Sequence, residues 1–435
     1  MPPVRSGIAT YSAELVAALR AEHEIAVFVD EPVVRLASDP GVRSAHDFVW
    51  MQRQRPFDLT VFQLGNSSHH DYLWPYLFRY PGLAVLHDAH LHHARAAALL
   101  RERRLDDYRA EFAANEPEVN RDAAELAIKG FDSFLYYEWP FTRLVLTSSR
   151  AVAVHSRLTR DRLRDEYPGA AIDHVRLGHG RLLERHSIDE RRGRSRERHG
   201  IPADAVVFGC FGGISPEKRV PQILDAFAAV LRHAPHAWLL LAGEAAGHYD
   251  VTADVGRRAL GSRVTLTGYL KDDDELTDCV AASDVTLNLR WPTAREISGP
   301  WLHCLAAGRA TIAIDLAHTA DVPSLDPRTW TPNGPEPPVC VAIDIMDEDH
   351  SLRLAMRRLA GDAALRDTLG EAARRYWRTE HSHDGMLSDY RRVLVRAATA
   401  EAPRASLPAH VGDDGSGLMQ GILAPFGVPR PWSKI

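Results

Sequence analysis

Two short stretches of this chain carry the residue types that anion chemistry needs. Cys210–Arg219 reads CFGGISPEKR, and Arg290–Gly308 reads RWPTAREISGPWLHCLAAG. The first is an apolar run, a glycine turn, and then Lys218 at the mouth of a helix expected from about Val220. The second holds one carboxylate, Glu296, then Ser298-Gly299, then a helix ending at Gly308. Helix mouths present free backbone N–H groups to anions, and a nearby ammonium adds a full charge. Two such mouths in one domain suit a diphosphate. Taken singly, each residue has a plainer explanation: Lys218 as a solvated helix-start residue, and Glu296 as an acid that favours a helix N-terminus.

Other stretches add candidates. Arg5-Ser6-Gly7-Ile8 precedes a helix expected over Ala9–Leu19, and glycine there lets a ligand approach the backbone closely. Asn66-Ser67-Ser68-His69-His70 and His87-Asp88-Ala89-His90-Leu91-His92-His93 are rich in groups that can chelate a metal. His87 also ends the apolar run Leu83–Leu86, and the C-terminal ends of parallel strands face the ligand crevice. Arg290 ends the run Val285–Leu289. Gly268-Tyr269 follows another strand-like run.

As a set, these motifs resemble a retaining glycosyltransferase of the GT-B architecture. That large family includes bacterial mannosyl- and glucosyltransferases and the sucrose synthases, and the acid loop is similar to a subgroup written GExSG. The resemblance covers nearly the whole chain up to about Ala397. It implies a metal-independent enzyme, with no cofactor beyond the nucleotide-sugar donor. Lys218 matches the family's phosphate-binding Lys, Glu296 the acid that meets the donor sugar, and His87 the His that hydrogen-bonds that sugar. Gly7, Ser298 and Gly299 match the loops at the phosphates, and the backbone near Tyr269 matches the nucleobase contact.

The chain departs from the family pattern in four places. Gly213 stands where a second cation is usual, and Arg290 is the candidate replacement. Arg295 replaces the first Gly of GExSG. The second Glu, the usual ribose ligand, falls at His303 or Cys304, so His303 becomes the candidate ribose partner. The strand that usually precedes the PPVRSG turn is not in the sequence, which points to an upstream segment.

The expected function is transfer of a sugar from a UDP- or GDP-sugar to a glycan, lipid-linked or small-molecule acceptor, in glycan biosynthesis. The departures keep open a catalytically weak nucleotide-sugar-binding scaffold or regulatory subunit. The implied partners are the donor and an acceptor the sequence does not name, with room for a peripheral membrane contact.

These motifs must be positioned by alternating strands and helices. Ile25–Val29, Leu59–Phe62, Leu83–Leu86 and Val152–Val154 are short β-rich runs, followed by Val206–Phe211, Trp238–Ala242, Val264–Leu266, Val285–Leu289 and Thr311–Ile314. Apolar runs of this length between amphipathic helices argue buried parallel strands. The expected fold class is α/β, with two doubly wound Rossmann-like domains facing across a cleft. The first, on the acceptor side, covers 1–180. A solvated, Arg-rich connection with a short helix follows over 181–201. The nucleotide-sugar domain covers 202–375, a crossover helix 376–398, and a loosely ordered tail 399–435.

Composition bounds the rest. The chain has 435 residues, 45% hydrophobic and 25% charged, with net charge −6. It is globular, and its mild acidity gives no support to nucleic-acid binding. Cys210, Cys279, Cys304 and Cys340 lack metal or disulfide spacing, which fits a reduced, cytoplasmic setting. No run is long and apolar enough to span a membrane, and no signal peptide is visible.

Overall fold

The structure, a computed structural model, describes residues 1, 6–30, 41–131, 134–316, 319–412 and 416–427. Arg5 and the rest of the turn before Ser6 lie outside them. The chain divides into two compact units. The first comprises Met1–Val154, Leu163–Asp173 and Arg391–Ile435; the second comprises His155–Arg162 and His174–Tyr390.

The first unit carries β1 (Val27–Val29), β2 (Val42–Ser44), β3 (Val61–Leu64), β4 (Leu83–Leu86), β5 (Ala151–Val154) and β6 (Ile172–His174). Among the described residues these form two sheets, β1-β2 and β3-β4-β5-β6. The pairs β1–β2, β3–β4 and β4–β5 are parallel. Leu64, Leu86, Val152 and Val154 pack with Trp74 and Leu77 into one core. A helical layer over residues 92–148 has its own core, in which His92 stacks on Phe141 at 4.1 Å and meets the Tyr108 hydroxyl at 2.9 Å.

The second unit is built on β7 (Val206–Phe211), β8 (Ala237–Ala242), β9 (Val264–Leu266), β10 (Val285–Asn288), β11 (Ala310–Ile314), β12 (Ser324–Leu325) and β13 (Cys340–Ile343). They lie in the order β12-β13-β11-β10-β7-β8-β9, paired in parallel throughout. The chain starts in the middle and winds first one way, then the other, so β7 and β10 flank the point where the order reverses. Successive residues of β7 alternate faces: Phe208 and Cys210 enter one core with Ile223, Phe227 and Leu359, while Val207 and Phe211 enter another with Val280 and Cys304. Burial on both faces is why these strands read as continuous apolar runs. All four cysteines are free and buried.

The first domain does not run unbroken to 180, because the second unit takes up 155–162 and then everything from His174. The short helix expected within 181–201 is Arg185–Arg198, and it packs within the second unit instead of lying in solvent. Its arginines find partners there. Arg191 meets Asp278 at 2.6 Å, and Arg192 and Arg196 meet Asp284 at 2.8 and 2.9 Å. Arg196 is buried and also donates to the carbonyls of Ala282, Ala203 and Ala205. A charge census cannot tell such a helix from a solvated one, because the acids that answer it lie more than eighty residues away in sequence.

The crossover helix is two helices, Ala363–Glu380 and His383–Thr399. They break where His381 turns its Nδ1 to the Leu177 carbonyl at 3.2 Å. The tail is not loose throughout: Leu407 and Val411 pack on the first unit's core, and His410 reaches Glu111 at 2.8 Å. Residues 413–415 and 428–435 of that tail lie outside the described residues. Among the described residues no helix is long and apolar enough to cross a membrane.

Arg196→Ala is expected to cost about 3–5 kcal/mol in urea unfolding, because it removes one of the two arginines on buried Asp284 and leaves three carbonyls without their donor. Arg185→Ala, whose ion pair with Glu371 is exposed, is expected to cost less than about 1 kcal/mol. Equal midpoints for the two variants would refute this account of the helix.

Candidate functional site

The strand order places a crevice at the C-terminal ends of β7 and β10. A cavity of about 70 Å³ lies there, lined by Phe211, Lys218, Asn288, Arg290, Glu296 and Ser298, among others. Four of the residues singled out from sequence therefore meet at one place: Lys218, Arg290, Glu296 and Ser298.

Lys218 ends the single turn Pro216–Lys218 after β7, and Arg219, in the left-handed region at φ 59°, turns the chain into the helix Val220–Leu231. The Lys218 ammonium reaches back and donates to the Phe211 carbonyl at the end of β7. Gly212, at φ +80°, allows this crossing, since a Cβ there would stand 2.7 Å from Lys218 Nζ. Burial pushes the Lys218 amine down to about 8. Arg290 pushes in the same direction, and Glu296 opposes both. Arg219 turns away to pair with Glu348. Gly213 is exposed, with open space where a side chain would be.

Glu296 lies in the loop between β10 and the helix Gly299–Ala306. Arg290 Nε holds its Oε1 at 2.7 Å, and the Thr293 hydroxyl donates to its Oε2 at 2.8 Å. Arg295, beside it, takes φ 61°. This explains why the related motif has Gly there: the position requires the left-handed region. The Trp291 amide donates to the Glu217 carbonyl at 2.8 Å, which ties the acid loop to the lysine turn. Ser298 is the N-cap of the helix, and Gly299 and Pro300 open it. Its hydroxyl makes no capping bond, so the first N–H groups face outward from the helix mouth.

His303 lies elsewhere. It is on the same helix but is not among the residues lining the cavity. Its Nε2 stands 3.2 Å from His179 Nε2, with the rings at 89°. Burial holds the His303 imidazole far down, at about 3, with the neighbouring His179 and His383 adding to the effect. Tyr269 is 41% exposed beyond β9, after Gly268 at φ 70°, and it too is outside the cavity lining.

Gly7 and His87 belong to the first unit. Gly7 opens the helix Gly7–Leu19, capped by the Ser6 hydroxyl, which accepts from the Ile8 amide at 3.3 Å. His87 follows β4, with Nε2 at 2.8 Å from Gln63 Oε1 and its ring edge-on to Tyr11 of that helix at 5.0 Å. Among the described residues, the stretch His87–His93 does not gather three metal-ligating groups.

Sequence reasoning missed Asn288, Thr293 and Trp301, which also line the cavity. Asn288, as a polar residue ending an apolar strand, was the signal available. Trp301 is buried with no hydrogen-bond partner for its indole N–H among the described residues.

Known proteins resemble parts of this chain in sequence and nearly all of it in fold. The Glycosyl transferases group 1 family matches residues 205–328. A GDP-mannose-dependent alpha-(1-6)-phosphatidylinositol dimannoside mannosyltransferase of Mycobacterium tuberculosis is 28% identical over 38% of this chain and 42% of its own length. An alpha-D-kanosaminyltransferase of Streptomyces kanamyceticus is 27% identical over 29% of this chain and 32% of its own. The matched region thus spans less than half the length of these relatives. Among solved structures, the sucrose-phosphate synthase of Thermosynechococcus elongatus superposes with TM-score 0.58 at 16% identity, over 90% of this chain and 94% of that one. HepE of Anabaena in complex with UDP-glucose gives 0.59 at 12%, over 90% and 96%. The chain therefore has the two-domain α/β fold of the GT-B glycosyltransferases, and its second unit carries the match to the group 1 glycosyltransferase family.

Proposed function

We propose that this chain is a retaining glycosyltransferase that moves a sugar from a nucleotide-diphosphate sugar to an acceptor hydroxyl without a catalytic metal. One observation carries the reading. A buried ammonium, a fixed Arg–Glu pair and an uncapped helix mouth share one cavity at the reversal of the second sheet. This set matches a leaving diphosphate and the sugar attached to it.

In this reading the acceptor oxygen bonds to the anomeric carbon as the bond from that carbon to the phosphate oxygen breaks. The acceptor proton passes to the departing diphosphate on the same face of the ring. Charge grows on the diphosphate, where Lys218 and the helix mouth at Ser298-Gly299 stabilise it without rearranging. Arg290 is shared between that charge and Glu296. Glu296, held by Arg290 and Thr293, orients sugar hydroxyls. Gly7 and His87 take donor-side roles on the strength of the resemblance. The names of relatives point to GDP- or UDP-linked sugars and leave both in play.

The second reading, a weakly active nucleotide-sugar-binding subunit, draws on His303. The residue at the ribose carboxylate's usual place is turned to His179. Proton NMR of a reaction with UDP- and GDP-sugars separates the two. Release of nucleoside diphosphate with an α-linked product from an α-linked donor is the expected result. Binding without turnover would favour the subunit, and inversion would overturn the retaining assignment.

Lys218→Met is expected to lower kcat about 10²–10³-fold, the loss typical of one oxyanion stabiliser. It should not lower the melting temperature at pH 7. The folded-state pKa of Lys218 lies below its unfolded value, so the buried charge costs stability below about pH 8, and that cost fades as pH rises towards the unfolded value. By the same sign, the wild-type kcat/KM should fall as pH rises through about 8, where the free enzyme loses its ammonium. A variant that is both active and less stable would contradict the assignment.

Added Mg²⁺ or Mn²⁺ is expected to leave initial rates unchanged, because fixed cations already face the diphosphate. A rate that depends on either ion would contradict the metal-free step.

A further inference from the structure

We propose that His179, Asp273 and His303 form a binding site for a zinc-type divalent metal within the second unit. The site is separate from the cavity around Lys218, since none of the three lines that cavity. The inference does not depend on the transferase reading.

The geometry is that of a chelate. The two Nε2 atoms are 3.2 Å apart, on rings at 89°. Two imidazole nitrogens bound to one zinc at about 2.0–2.1 Å, at the tetrahedral angle, stand about 3.3–3.4 Å apart. One ligand atom from each of the three residues lies within 4.8 Å of the others. Asp273 opens the helix Asp273–Ala282 and is half-buried, so its carboxylate can close the remaining gap by side-chain rotation. Two nitrogens and one carboxylate oxygen favour zinc-type ions over magnesium or calcium, which take oxygen ligands.

The backbone holds this arrangement in advance. Trp377 Nε1 donates to the His179 carbonyl at 2.8 Å. Gly180, at φ +86°, lets its segment lie against the helix Gly299–Ala306, since a Cβ there would stand 3.2 Å from His303 Cα. A Cβ at Gly299 would stand 3.1 Å from His179 Cδ2. Both imidazoles are buried, at 8% and 7% exposure. A metal here would staple the segment after β6 to two helices of the nucleotide-side sheet. A neutral N–H···N hydrogen bond accounts for the 3.2 Å as well, but gives Asp273 no part and binds no metal.

The test is metal content of the full chain, stripped with a chelator and dialysed against Zn²⁺. One zinc per chain is expected, with the intense visible absorption of four-coordinate Co²⁺ after cobalt loading. His303→Asn and His179→Ala should abolish binding. Asp273→Asn, at a half-buried position that the fold tolerates, should weaken it more than ~10-fold. Zinc should raise the melting temperature of the wild type and not of Asp273→Asn. His93→Ala, at the exposed position of the His-rich stretch of the first unit, should keep full zinc. Less than one zinc in the wild type would overturn the proposal. So would zinc that persists in Asp273→Asn and His179→Ala, or zinc that is lost in His93→Ala.

Discussion

Asp284 fixes the register on which the second unit depends. Its carboxylate accepts from the Val207 amide at 2.7 Å, and its own amide donates to the Val207 carbonyl at 2.8 Å. The two residues join the starts of β7 and β10, and Val285 then pairs with Phe208 and Thr286 with Gly209. A slip of one residue would turn every side chain of β10 to the other face. It would also move Asn288 and Arg290 out of level with Phe211, and the cavity would have no opposing wall. Gly209 shows how tightly the strands meet there, since a Cβ would come within 2.3 Å of Ser283 Oγ. Arg192 and Arg196 keep Asp284 ionised against its burial. The Arg-rich helix is thus a structural lock placed at the end of the sheet away from the site.

The site has the opposite character. Lys218 is held by one carbonyl beside Arg290 and Glu296, which act on its charge in opposite directions. Arg290 shares its guanidinium with Glu296, which leaves the pair nearly neutral while no ligand is present. In the proposed reading, such a balance lets the cavity take a diphosphate without an unshielded cation cluster. The cost is local strain at Arg219 and Arg295, non-glycine residues with positive φ. These lie on the two loops that the Trp291–Glu217 bond ties together.

The helix Gly299–Ala306 serves two places at once. Its mouth faces the cavity, and His303, farther along, turns towards His179. A metal bound between His179, His303 and Asp273 would fix that helix from behind. The four buried cysteines play no comparable part, because burial raises each thiol and leaves it inert.

The sequence alone determined most of the strands of the second unit and four of the residues that line its cavity. Val206–Phe211, Val264–Leu266 and Leu83–Leu86 were legible as written, since buried parallel strands need unbroken apolar runs. Lys218, Arg290, Glu296 and Ser298 were legible because loop residues after such strands keep a local signature of Gly, charge and cap. Val42–Ser44, Ile172–His174 and Ser324–Leu325 were not, being too short or too polar to stand out. Only the tertiary structure decided where the partners are. Arg196 finds Asp284 and His303 finds His179 across 88 and 124 residues of chain. The same long-range packing docks the Arg-rich helix on the second unit and sets His303 beside another imidazole. Local sequence encodes what a residue can do; burial and long-range contact decide which of those things it does.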